Sequence, residues 1–118
     1  DAENKAFADR FKEKTNTRPS FAHAGNYSAA YQYLDAIQRA GSDDADAVVK
    51  ELEGKKVNDV FLRNGEIRAA DHRVLHDAYL VKVKDKADVK EEWDYEEILK
   101  TIPAAEAFNP TVSTDCKM

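Results

Sequence analysis

Few of the residues that usually give a sequence away are present: 118 residues hold one cysteine, one methionine, one tryptophan, three prolines and four glycines. The lone thiol, Cys116, cannot close an intrachain disulfide and does not report a redox compartment, so it is expected to be unpaired and exposed. No apolar run approaches the ~20 residues that cross a bilayer as a helix, and no charged-apolar-small signal pattern stands at the start. The first residue is Asp1 and an amphipathic pattern begins at once, as expected of a segment from a longer chain whose targeting segment has been lost. Basic clusters are missing as well. The longest is Lys55-Lys56, and 18 basic against 23 acidic side chains leave a net charge of −5, which repels nucleic acid and anionic membrane surfaces. A Gly-rich phosphate loop, a Gly-x-Ser-x-Gly elbow and a histidine near Cys116 are all absent, so no enzyme signature remains.

What is present is helical at first. Hydrophobic residues make up 42% and the mean hydropathy is −0.70, so the core is expected to be small or shared. Phe7 and Phe11 form one stripe of a helix over 3–15, and Pro19 holds Arg18 extended in a connector over 15–20. The periodicity of Tyr27, Ala30, Tyr31, Leu34 and Ile37 predicts a helix over 26–40 that buries this stripe. Ser28, Gln32, Asp35 and Arg39 lie opposite, Tyr33 with Ala29, Ala36 and Ala40 forms a second, small-residue stripe that lets another backbone approach closely, Asn26 caps the start and Gly41 the end. Ser42 is expected to cap a third helix running to Leu52 or Glu53, with Gly54 stopping it. After Lys56 the period shortens. Val60 to Arg63 and Glu66 to Arg68 read as strands around a type I′ turn at Asn64-Gly65, and Val74 to Lys84 as one longer strand. Asp94 and Glu97 form a capping-box pattern before a short helix reaching Thr101, Pro103 opens another to Phe108, and the last eight residues read as irregular.

The candidate chemistry is sparse. His72 and His76 have helical zinc-ligand spacing, but on the predicted strand four residues span about 13 Å, too far for one ion, so no metal is expected. The carboxylate pairs Asp43-Asp44, Glu91-Glu92 and Glu96-Glu97 sit in hydrophilic settings, without the desolvation that general acid-base work requires. More distinctive is Phe21 to Tyr27. There aromatic, imidazole and amide groups gather in a predicted loop at a helix N-terminus, which can present N–H donors to an anionic ligand. The competing reading makes Tyr27 a core residue on the buried stripe of its helix.

Taken together, these residues resemble a known family. The run from Asn26 to Ser42 (Asn-Tyr-Ser-Ala-Ala-Tyr-Gln-Tyr-Leu-Asp-Ala-Ile-Gln-Arg-Ala-Gly-Ser), the helix ending at Gly54 and the turn from Phe61 to Gly65 resemble the C-terminal third of periplasmic solute-binding proteins of ABC importers, leucine/isoleucine/valine-binding type. His72-Arg73, His76-Asp77, Tyr79-Leu80, Lys84, Trp93-Asp94-Tyr95, Ile102-Pro103, Ala107-Phe108 and Cys116 resemble the C-terminal extension of a subgroup associated with aromatic-acid, amide or similar small-molecule uptake.

The resemblance implies an α/β fold: a fragment of a two-lobe periplasmic binding fold, with helices in the first half, a hairpin and strand in the middle and short helices in the tail. Residues 1–62 would be the helical part of the N-terminal lobe, 63–86 the hinge crossing and final strand of the C-terminal lobe, and 87–118 the extension. It implies a ligand-binding set of Ala22, His23, Ala24, Asn26 and Tyr27, with Ala24 leaving space where amino-acid binders place a large aromatic. It further implies a small-molecule ligand, an ABC permease as partner, periplasmic location after export as a full-length precursor, no cofactor and no enzymatic activity. Cut from its parent, such a fragment would self-associate. Two rivals are a stand-alone helix-rich protein-interaction module using Tyr27, Tyr31 and Leu34, and a metal enzyme built on His72 and His76.

Overall fold

The computed structural model describes residues 2–110. Helix α1 (Ala2–Thr15) buries Phe7 and lays Phe11 beside it, their ring centroids 6.2 Å apart. Helix α2 spans Phe21–Ala40, five residues longer at its start than the periodicity suggested. Ser20, following Pro19, is its N-cap, and nothing between Ser20 and Asn26 breaks the helix; Gly25 is tolerated within it. Asn26 therefore does not cap. Its Nδ2 donates to the Ala22 carbonyl one turn back at 3.0 Å. The far end matches expectation, with Gly41 left-handed at φ 65°.

The aromatic stripe expected to be buried on α2 is exposed, and of the second, small-residue stripe Ala36 is buried while Ala29 and Tyr33 are exposed. Ala24, Ser28, Gln32 and Ala36 are buried, whereas Tyr27, Tyr31, Tyr33 and Leu34 are exposed and Ile37 is half-buried. Side-chain size is the physical reason. Small residues at three- and four-residue steps let the neighbouring backbone come close, and Ala36 is 0% exposed under it. Helix α3 (Ala45–Leu52) is capped by Asp44, whose Oδ1 accepts from Ala47 N at 3.1 Å; Ser42, the expected cap, instead accepts from Asp44 N at 3.0 Å. An ion-pair bracket of Asp35 with Lys55 and of Arg39 with Glu51 ties α2 to α3 and the chain beyond it.

The strands form two separate sheets. Strands β1 (Lys56–Val57), β2 (Gly65–Ile67) and β3 (Val74–Leu75) make an antiparallel three-stranded sheet in chain order. The predicted hairpin is shifted: β2 pairs with β1, through Val57 opposite Gly65, and not with 60–63, which form part of a loop. Asn64 has the expected positive φ of 50°, but Gly65 does not share it and lies within the strand, so the turn is not type I′. The long strand predicted over 74–84 is broken at His76-Asp77 into β3 and β4 (Ala78–Val83).

Strand β4 pairs antiparallel with β5 (Glu96–Ile102), where a helix was predicted, and Leu99 is the extra residue of a bulge in β5. Asp94, the supposed cap, accepts from Lys84 Nζ at 2.5 Å and Lys90 N at 3.2 Å, so the capping-box signal is spent on the strand connection. The β-branched Ile98, Thr101 and Ile102 suit the ladder that β4 offers. A short 3₁₀ turn (Lys86–Asp88) lies in that connection. Helix α4 (Ala104–Ala107) follows Pro103 as expected. The last eight residues and Cys116 lie outside the described residues.

Burial is limited. The apolar core consists of Phe7, Ala24, Ala36, Val48, Val57, Val60 and Leu62, while Leu80, Val83, Ile98 and Leu99 of the β4–β5 ribbon are exposed, Val83 by 71%. The accessible surface is 8727 Å², against roughly 6,450 Å² for a compact monomer of this mass. The radius of gyration is 17.0 Å, against roughly 13 to 14 Å for a compact chain of this length. Among the described residues, no helix is long and apolar enough to cross a membrane.

Candidate functional site

Of the five residues expected to touch a ligand, all lie in the first two turns of α2 and none lines the apolar cavity beside it. His23 points to α1: its ring lies 4.9 Å from that of Phe11, and its Nδ1 accepts from Ser20 N at 3.0 Å, which closes the start of the helix. Tyr27 packs its ring 5.0 Å from Phe7 and remains half exposed. Ala24 is buried in a cluster with Phe7 and Val60. Ala22 and Asn26 are exposed, as is Phe21 at 82%. The site is thus a helical start braced on α1, not a loop.

The adjoining face of α2 forms one wall of a mostly apolar cavity of about 410 Å³. Gly25, Ser28, Ala29 and Gln32 supply that wall, Val49 and Leu52 of α3 another, and Val57, Ile67 and Val74 the sheet side; Phe61, His72 and His76 also line it. Phe61 lies on Gly25, where an added Cβ would sit 3.5 Å from the ring. His72, left-handed at φ 53°, contacts Glu53 at 2.9 Å through Nε2. Among the described residues no group of three or more histidine, cysteine or acidic side chains is placed to hold a metal ion.

The cavity wall is held by a polar cluster that the sequence reading missed. Asp59, 8% exposed, accepts from Ser28 Oγ at 2.6 Å and Gln32 Nε2 at 2.9 Å through Oδ2, and from Phe61 N and Leu62 N, each at 2.9 Å, through Oδ1. Burial pushes its carboxyl up, but the donors (Ser28, then the Leu62 and Phe61 amides, then Gln32) outweigh this and hold it below the usual carboxylate range. With two donors on each oxygen, Asp59 is a brace and not a base. A signal was available: Ser28 and Gln32, one turn apart, share a helix face with Gly25, Ala29 and Ala36, and polar residues among such small ones mark a close contact.

A helical layer, a small sheet and an uncovered strand ribbon are parts of an α/β architecture larger than themselves. The family model described as periplasmic binding protein matches residues 1–88, three quarters of the sequence, and the chain belongs to that family. A branched chain amino acid ABC transporter periplasmic ligand-binding protein from Burkholderia xenovorans is 40% identical with a TM-score of 0.88, over 93% of this chain and 29% of that one. A periplasmic binding protein from Burkholderia mallei is 38% identical with a TM-score of 0.86, over 92% of this chain and 28% of that one. An amino acid ABC transporter substrate-binding protein from Pseudomonas fluorescens is 26% identical with a TM-score of 0.82, over 97% of this chain and 30% of that one. The chain therefore spans less than a third of the length of these solved structures, and its fold is part of their two-lobe fold. No curated protein matches it.

Proposed function

We propose that the chain is part of a non-enzymatic solute-binding protein that captures a small molecule (an amino acid, aromatic acid or amide) between two lobes in the periplasm and delivers it to an ABC-type permease. The observation that carries this is identity of 38% and 40%, over nine-tenths of the chain, to a periplasmic binding protein and an ABC transporter periplasmic ligand-binding protein. That extent of match favours transport over a stand-alone interaction module. Capture would proceed by closure of the lobes on the ligand, the closed state being favoured by as much as the ligand binds it better.

In this reading 1–62 belong to the N-terminal lobe, 63–86 carry the hinge crossing and the final strand of the C-terminal lobe, and 87–118 form an extension tied back through β5 on β4. The start of α2 forms part of the ligand cleft. Ala22, Asn26 and Tyr27 offer the accessible surface, and His23 and Ala24 set the backbone that carries it. No cofactor and no nucleic acid take part.

Calorimetry on the intact protein with L-leucine, benzoate and benzamide should give saturable heat for at least one. Silence from all three, and from the remaining amino acids, would remove the import reading.

The 118-residue chain alone should self-associate, because both faces of the β4–β5 ribbon and the Tyr27, Tyr31 and Leu34 side of α2 lack cover. Light scattering is expected to give a mass above that of one chain, rising with concentration. A monomer that unfolds cooperatively would contradict it.

A further inference from the structure

The two sheets are joined by two residues. Strand β3 ends at Leu75 and β4 begins at Ala78, so His76-Asp77 is the covalent passage from one to the other. This dipeptide is gripped from both sides. From the side of the first sheet, Asn64 Nδ2 donates to Asp77 Oδ2 at 2.6 Å, and Asp77 N donates to the Arg63 carbonyl at 3.1 Å. From the ribbon side, Ala104 N, just beyond β5, donates to Asp77 Oδ1 at 3.3 Å. The His76 ring repeats the pattern, 6.5 Å from Phe61 on one side and edge-on to Phe108 at 5.1 Å on the other. His76 Nδ1 lies 2.8 Å from the Asp77 carbonyl, which fixes the ring relative to the passage.

The geometry points to Asp77 as a positioning residue: its carboxylate clasps Asn64 and Ala104 together and thereby sets the angle between the three-stranded sheet and the β4–β5 ribbon. One oxygen holds the residue just before β2 and the other the residue two beyond the end of β5. The carboxylate is thus the smallest group in the passage whose loss releases both partners while leaving both ladders intact. Other links between these parts include Arg68 Nη1 to the Asn109 carbonyl at 3.0 Å and Lys12 to Glu92 at 2.8 Å. Neither of these touches His76 or Asp77, the passage itself. If 63–86 carry the hinge, as the transport reading has it, the clasp sets the resting opening of the lobes, and only this consequence rests on that reading.

The test is a distance measurement on the intact protein without ligand. Spin labels at Lys50→Cys on α3 and Lys100→Cys on β5, both exposed, report the angle; labels at Lys50→Cys and Arg73→Cys, within the first part, serve as control, all with Cys116→Ser. Asp77→Ala should broaden the Lys50–Lys100 distribution roughly twofold and leave the control pair unchanged. Asp77→Asn should restore the narrow distribution, because its carbonyl can still accept from Ala104 N while its amide donates to a turned Asn64 amide. Should Asp77→Ala fail to fold, Asn64→Ala removes one arm of the clasp and should broaden the same pair. Superimposable Lys50–Lys100 distributions for wild type and the alanine variant overturn the proposal, as does equal broadening of both pairs, which would mean general loosening. Because no ligand is added, a calorimetric panel without heat would remove the import reading and leave this result standing.

Discussion

Replacing Asp59 by alanine is expected to destabilise the protein by about 3 kcal/mol, a large share of the usual stability of a domain. The cost comes from what is left behind. Ser28 Oγ, Gln32 Nε2 and the amides of Phe61 and Leu62 all lose their acceptor, and Ser28 and Gln32 are buried. Urea denaturation of the intact protein reads the change. A loss under ~1 kcal/mol would mean that the cluster does not brace the cavity wall.

Asparagine at this position separates shape from charge. Its carbonyl can accept from Phe61 N and Leu62 N and its amide can donate to Ser28 Oγ. Gln32 can turn so that Oε1, buried without a partner, accepts from that amide. The expected loss for Asp59→Asn is therefore about 1 kcal/mol near neutral pH. The acid dependence has a definite sign. A carboxyl held below its usual range in the folded state contributes stability above its unfolded value, near 3.8, and that contribution is lost as pH falls through the lowered value. The wild type should thus converge on Asp59→Asn below about pH 4. Asp71, which the Arg68 guanidinium holds at about 2 through a bidentate pair, gives both proteins a common loss between its ordinary 3.8 and about 2.

The sequence made the ends of elements more legible than their partners. Gly41 ends α2 and Pro103 precedes α4 because those signals act within a few residues. The start of α2 is hidden because Ala22 to Gly25 carry no apolar period; the small-residue stripe through Ala36 points to part of the buried face, but Ser28 and Gln32 look like solvent-facing polar residues. Tyr27, Tyr31 and Leu34 look like a core stripe, yet close approach of the 58–62 loop and α3 favours Ser28, Gln32 and Ala36. Strand β5 depends on β4, and no local pattern could outweigh the helix signal at Asp94 without knowledge of that pairing. The candidate site shows the same limit. Its five residues fall together at the start of α2, but their directions, His23 to Phe11 and Tyr27 to Phe7, depend on α1 folding back over the start of α2.

Gly65 tests the corrected register most sharply. A Cβ there would stand 2.9 Å from the Val57 carbonyl, 3.3 Å from the Val57 Cβ and 3.4 Å from the Leu75 carbonyl, so backbone presses on it from the strands on both sides. Flexible side-chain ends could move aside, but these carbonyls belong to neighbouring strands of the same sheet. Gly65→Ala should cost about 2 kcal/mol and Gly65→Val about 3, overpacking outweighing the ~0.5 kcal/mol gained by stiffening the unfolded chain. Gly41 is the contrasting case. Among the described residues nothing lies within 4 Å of where its Cβ would stand, and only its φ of 65° is strained, so Gly41→Ala should cost about 1 kcal/mol and leave the sheet intact. Hydrogen exchange distinguishes the two mechanisms. The Gly54 amide, donating to Ile67 O at 2.7 Å, and the Ile67 amide, donating to Lys55 O at 2.9 Å, should exchange faster in Gly65→Ala and at the wild-type rate, relative to global stability, in Gly41→Ala. A Gly65→Ala protein as stable as wild type would mean that no backbone presses on this position and would undo the pairing of β1 with β2 in this register.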